Sequence, residues 1–319
     1  MEAPLVSFII TTFELPSRLL CECIDSILAL SLRHAEREII IVDDGSESSP
    51  MAELMKYGSD IIYIRQPHQG LSVARNTGIR MSTATYIQFV DGDDRLLQAP
   101  YEHCIDLLRF NTPEMVVFDF AGQTSEIVDY TDSELQSGSD YMRRHNIHGS
   151  ACGYLFRRSI LGDLCFTPGI WHEDEEFTPQ LLLRAERVLV TDAGAYLYQR
   201  RQGSIITDNH IRQKIRRLDD AKGIIRRLSL LTDRLPVDDR TALQRRVAQL
   251  TMDYLYNVIL QTGSRHYLER KMEELRRLGL FPLPDRDYTT KYVWFRRMTN
   301  SPMGISLLMR LIPIINTKQ

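Results

Sequence analysis

The amino-acid sequence predicts an α/β fold in which a mostly parallel mixed sheet is flanked by helices and followed by an α-helical C-terminal region. Three observations carry that expectation. Over the first hundred residues, short β-rich runs alternate with helix-period segments, the pattern of βαβ units. Three of those runs end in polar clusters, Thr11-Thr12-Phe13-Glu14, Asp43-Asp44-Gly45-Ser46 and Asp91-Gly92-Asp93-Asp94, where ligands of a parallel sheet gather. From about Ile211 onward strand signals fade, and apolar residues recur at three- and four-residue steps, the mark of amphipathic helices.

Taken in order, residues 5–11, 38–42, 61–65 and 86–90 are short runs dominated by Ile, Val, Phe, Tyr and Thr, side chains that suit a pleated, buried surface. Between them, residues 17–30, 50–57 and 71–81 read as helices, the last opening at Gly70 and packing through Leu71, Ala74 and Ile79. A strand follows at 114–120. Residues 122–138 are rich in Ser, Thr, Asp and Glu and read as a loop or an edge hairpin. Shorter strands are expected at 154–157, 188–191 and 195–199, with a helical run at 179–185. Beyond them Ile215, Leu218, Ala221, Ile225 and Leu228, then Leu243, Val247, Leu250, Tyr254 and Val258, mark helices. The division expected is 1–210 for the sheet and 211–319 for the helices.

A chain of 319 residues with 43% hydrophobic and 25% charged residues can bury a full core. Five cysteines without C-x-x-C spacing argue against a disulfide framework or a structural zinc site. With no 18-residue apolar run and no basic leader at its start, the chain reads as cytoplasmic. The net charge of −3 conceals two opposite halves: residues 1–150 hold 11 Lys+Arg against 23 Asp+Glu, a net of −12, and residues 211–319 hold 22 against 11, a net of +11. A basic helical tail suits a solvated surface or an anionic partner, such as the inner face of a membrane. Residues 305–315 are apolar apart from Ser306, Arg310 and Pro313. That stretch is too short to span a bilayer, and a helix docked on the core is preferred to an interfacial one.

The acids at 91–94 admit several readings. An Asp/Gly turn is common after a strand, but three carboxylates within four residues repel one another unless a cation neutralises them. A calcium loop would need a longer ligand spacing ending in Glu. An aspartyl-phosphate phosphatase also places D-x-D after a strand, although Asp94-Arg95 replaces its Gly-Thr. A divalent metal bridging carboxylates and a diphosphate fits better. Asp43-Asp44-Gly45-Ser46 is either an ordinary strand end or an acceptor for nucleoside N–H and hydroxyl groups. Arg75 and Asn76, near the start of a helix, could meet a nucleotide phosphate or order the carboxylates. Glu173-Asp174-Glu175-Glu176 could be acids favoured at a helix N-terminus, or could include a general base. Arg200 and Arg201 are either solvated or aimed at a departing diphosphate.

These five segments, in this order, resemble the family 2 glycosyltransferases with the nucleotide-sugar-binding GT-A fold, over about residues 4–206. The resemblance implies that Thr11, Phe13 and Glu14 meet the nucleoside, with Phe13 stacking on uracil, although Thr11 and Glu14 stand where the family usually has Pro and Asn. It assigns Asp43, rather than Asp44, to the nucleoside, Asp91 to ribose, Asp93 to the metal and Asp174 to the base. Arg201 and Ser204 match a diphosphate-binding loop in which Gln199 replaces a common Arg. The activity implied is an inverting, metal-dependent transfer from a UDP-sugar, using Mn2+ or Mg2+. Its acceptor is a glycan or lipid-linked saccharide in surface polysaccharide synthesis. Peripheral membrane contact or self-association is assigned to the C-terminal helices, and no nucleic-acid partner is expected. The alternatives are a metal-dependent phosphatase or nucleotidyltransferase, and a non-catalytic nucleotide-sugar or glycan-binding protein. The lack of glycine in residues 10–18 and the presence of both Asp93 and Asp174 argue against the last two of these.

Overall fold

The alternating segments become β1 (Val6–Thr12), α1 (Ser17–Leu28), β2 (Arg37–Asp43), α2 (Met51–Leu54), β3 (Ile62–Arg65), α3 (Leu71–Met81) and β4 (Tyr86–Asp91). They are seen in a computed structural model that describes residues 3–121, 129–199 and 211–316. The chain continues through β5 (Arg95–Leu96), α4 (Gln98–Asn111), β6 (Met115–Phe120), α5 (Gly138–Arg144), β7 (Tyr154–Arg157), α6 (Glu173–Leu182) and β8 (Val188–Leu197). The eight strands form one mixed sheet in the order β3-β2-β1-β4-β7-β6-β8-β5. The first four strands run parallel, β7 is antiparallel to both β4 and β6, and β8 is parallel to β6.

β1 is buried along its whole length, with Val6, Phe8, Ile9 and Ile10 fully enclosed, as befits a central parallel strand covered on both faces. α1 buries Leu20, Cys23, Ile24 and Ile27 at helical spacing. α3 comes unusually close to β1: a Cβ on Gly78 would lie 2.2 Å from Ile9 Cγ2. The register then aligns the polar strand ends. Thr11 lies opposite Asp91, Thr12 opposite Asp43, and Asp43 opposite Arg65.

Several elements differ from expectation. α6 begins at Glu173, because its first turn is built from the acids themselves, which the helix dipole favours there. The runs expected at 188–191 and 195–199 are one strand, β8. Residues 50–57 hold only the short α2, continued by a 3₁₀ segment, Met55–Asp60. α4 is an addition to the expected elements, and it buries Tyr101, Cys104, Ile105 and Leu108 at helical steps. Within the polar stretch, residues 122–128 lie outside those described, while Asp132 and Gln136 bridge to Thr191 and Val188.

Two compact units emerge, one from the described residues of Met1–Tyr141 and His148–Ser204, the other from those of Met142–Ile147 and Ile205–Gln319. The second unit is helical, with α7 (Ile211–Thr232), α8 (Val237–Thr262), α9 (Arg265–Arg277), α10 (Thr290–Thr299) and α11 (Pro302–Asn316). α8 is its axis and packs against α7, α9, α10 and α11. Arg245 donates to the Arg143 carbonyl and Arg246 to the Ile147 carbonyl at 3.0 Å, holding the 142–147 segment. Among the described residues no helix is long and apolar enough to cross a membrane.

Candidate active site

The polar ends of β1, β2 and β4 are held together mostly by their own hydrogen bonds. Glu14 adopts φ +47° as the chain leaves β1. From there its backbone N–H donates to Ser46 Oγ at 3.0 Å, and its carboxylate accepts from the Glu47 N–H at 2.6 Å. Asp43 is fully buried. One of its oxygens accepts from Ser46 N–H and Oγ at 2.9 and 2.7 Å, and the other from the Tyr63 hydroxyl at 2.7 Å. Asp44 is equally committed, accepting from Gln66 Nε2, from the N–H groups of Gln69 and Gly70, and facing His68 Nδ1 at 2.8 Å. It anchors the segment that leads into α3. Gly45, at φ +81°, is obligatory there, since a Cβ would lie 2.7 Å from His68 N.

Phe13 is 41% exposed and stacks on the His68 ring, centroids 4.1 Å apart and planes at 22°. Beside the pair, Gly45, Arg65, Gln66, Pro67 and His68 line an open cavity of about 390 Å³. An exposed aromatic face next to open volume can accept a planar ring. Thr11 is buried at the β1 end, 9% exposed.

In the acid loop the carboxylates have separate surroundings. Gly92 sits so close to β1 that a Cβ would meet Leu15 Cδ2 at 2.9 Å and Thr11 O at 3.0 Å. Asp91 is partly exposed and takes a hydrogen bond from Arg75 at 3.1 Å. Asp93 is half-buried. Asp94 points inward, accepting from the Tyr196 hydroxyl and the Gln199 N–H, both at 2.8 Å. Burial, then the Asp91 charge, pushes its carboxyl up to about 7. The Tyr196 hydroxyl also accepts from Asp91 N–H at 3.0 Å. Asp94 therefore fixes the loop to the end of β8, a role the sequence left open.

Arg75 joins this loop to the N-terminus of α6. Its guanidinium, 3% exposed, donates to Asp91 at 3.1 Å and to Glu173 Oε1 at 2.8 Å, and lies over the rings of Phe166 and Phe89. Of the two roles open to it in the sequence, this is the ordering of carboxylates. His172, at φ +62°, precedes the helix. The half-buried Asp174 accepts from Glu175 N–H at 2.9 Å, and burial followed by the Glu173 charge pushes its carboxyl up to about 7, against the pull of Arg75. A carboxylate of that pKa is suited to taking a proton near neutrality.

Arg201 and Ser204 lie outside the described residues. Among those described, no three His, Cys, Asp or Glu side chains form a preformed metal cage. The oxygen donors of Asp93 nonetheless suit a hard divalent cation shared with phosphate oxygens, as Mg2+ is usually bound. Tyr196 and His68 carried no signal in the sequence beyond an aromatic in a strand and a polar residue in a loop. Their partners meet them only through the sheet order.

The family model described as Glycosyl transferase family 2 matches residues 7–164, a span that stops short of Glu173 and Asp174. The uncharacterized glycosyltransferase EpsJ of Bacillus subtilis (strain 168) is 33% identical over 219 residues, covering 63% of this chain and 63% of EpsJ. The chain thus spans less than two thirds of that relative's length. Among solved structures, S. aureus TarS 1–349 in complex with UDP-GlcNAc superposes with a TM-score of 0.62 at 16% identity, covering 89% of this chain and 95% of that one. The mannosyltransferase PcManGT from Pyrobaculum calidifontis, in complex with GDP-Man and Mn2+, gives 0.56 at 14% identity, covering 98% and 88%.

Proposed function

We propose that this chain, whose residues 7–164 match the model of glycosyltransferase family 2 and whose fold is GT-A, is a member of that family and transfers a sugar, with inversion, from a UDP-sugar to a hydroxyl of a glycan or lipid-linked saccharide in surface polysaccharide synthesis. The observation that carries the reading is the buried guanidinium of Arg75, which ties Asp91 of the acid loop after β4 to Glu173 at the start of α6. A transferase needs both of these: a place for the leaving diphosphate and a base for the incoming hydroxyl.

On this reading Phe13 and Thr11 receive the nucleoside, and Asp43 shapes its pocket by fixing Ser46 and Tyr63. Glu14 braces the two strand exits. Asp91 takes the ribose. Asp93 would hold a divalent cation, Mn2+ or Mg2+, which when bound neutralises the diphosphate. Arg201 and Ser204 are assigned to the same diphosphate. Asp174 accepts the acceptor hydroxyl's proton while that oxygen bonds to the anomeric carbon and the bond to the diphosphate oxygen breaks. The UDP-GlcNAc complex of TarS supports the choice of uracil as the base, and the Mn2+ complex of PcManGT supports the cation.

Two substitutions test this together. Asp93→Ala should abolish manganese-dependent affinity for UDP in calorimetric titration. Asp174→Asn should keep that affinity while turnover falls roughly 10²-fold or more. Unchanged UDP affinity in the first, or near-normal turnover in the second, would remove the residue from its role.

A further inference from the structure

Helix α11 buries one face and leaves the opposite face apolar. Gly304, Ile305, Leu308 and Ile312 are buried where the helix packs on α8 and α10. Gly304 permits the approach, since a Cβ there would lie 2.2 Å from Met298 O. The expected docking on the core is therefore present, but it uses only half the helix. On the other side Met303 is 85% exposed and Leu307 42%, with Ile314 at 57% further along the same arc. At 3.6 residues per turn, Met303, Leu307 and Arg310 fall in one narrow arc, and Arg310 is exposed. A row of large apolar side chains on a surface marks an interaction site.

The charge around it selects the partner. Beyond Asp287 the sequence contains no Asp or Glu, but five basic residues, Lys291, Arg296, Arg297, Arg310 and Lys318. Arg296 is buried and paired with Asp285 and Asp287, and Lys291 lies 3.9 Å from Asp253, so Arg297 and Arg310 carry the surface charge. On the neighbouring α10, Lys291 and Arg297 are exposed and Trp294 is 36% exposed. A second copy of this chain would bring the exposed Arg297 and Arg310 of one face against those of the other, which like-charge repulsion opposes. An anionic lipid surface meets both features. Acyl chains and the headgroup boundary take the apolar row, phosphates take the arginine within it, and the indole sits at the interface.

We propose that α11, with α10 beside it, docks on an anionic phospholipid surface through Met303, Leu307 and Arg310. The site of sugar transfer plays no part in this inference, and the two can fail separately.

Full-length protein is sedimented with vesicles of phosphatidylcholine alone and of equimolar phosphatidylcholine and phosphatidylglycerol. Binding is expected to the second and not the first, weakening as salt is raised. Met303→Ser with Leu307→Ser should lower the partition coefficient roughly tenfold or more, and Arg310→Ala about fivefold, with melting temperature and UDP affinity unchanged. Equal sedimentation of the serine variant and the parent overturns the proposal, as does equal binding to neutral vesicles or none to either. A dimer seen by light scattering and dissolved by the same two serines would assign the face to a second copy and overturn it as well.

Discussion

Arg75 is held in a place where its charge cannot be spared. Burial by itself would lower its affinity for a proton, and the carboxylates, Asp91 first and then Glu173 and Asp174, more than offset that. Asp174 is the reverse case, a carboxyl moved from 3.8 to about 7, first by burial and then by the neighbouring Glu173 charge. Between those values the folded chain keeps the proton and the unfolded chain has lost it, so stability falls as pH rises through the interval, and the full penalty is present above about 7. Asp174→Asn removes the penalty. The variant should melt above the parent at about pH 8 and together with it near pH 4, while the parent's turnover should decline as pH falls below about 7. A variant that melts lower at pH 8 would contradict the assignment. At this scale the acids themselves were legible, because Asp91, Asp93 and Asp174 stand in short segments that crowd like charges together, which a purely structural turn or helix start seldom requires. What holds them was not: the Tyr196 hydroxyl reaches Asp94 across a strand order that the linear chain does not display.

The packing of α3 on β1 sets where Arg75 stands, and it depends on the missing side chain at Gly78. Gly78→Ala would drive a methyl into Ile9 Cγ2, and overpacking of that kind costs about 1–3 kcal/mol. Chemical denaturation should show that loss. In Gly78→Ala/Ile9→Ala the combined loss should be smaller than the sum of the single losses, because the second change empties the space the first one needs. Full additivity would mean that the contact carries no strain. Elements with one strong period were plain in the sequence: residues 71–81 and 154–157 match α3 and β7 at both ends. The expected start of α6 falls too late because its first turn is acidic and apolar periodicity begins only after it.

On the scale of the whole chain, the sheet and the helical segment were legible as separate patterns, whereas the insertion of Met142–Ile147 into the helical unit was not, since it depends on Arg245 and Arg246 reaching back about a hundred residues. The boundary proposed after residue 210 is therefore not a clean cut. A chain ended there keeps the carbonyls of Arg143 and Ile147 but loses the Arg245 and Arg246 donors, and with water taking their place the net loss is about 1.5–3 kcal/mol for each bond to a charged group. It should melt below the full chain in calorimetry, and an equal melting temperature would restore 210 as a true boundary. The bond between Arg75 and Glu173 has a consequence of another kind. Arg75 lies inside the span shared with the family and Glu173 beyond it. Anyone exchanging the later region for that of a relative, to redirect the sugar to a new recipient, must therefore graft in a residue at 173 that this arginine can still grip.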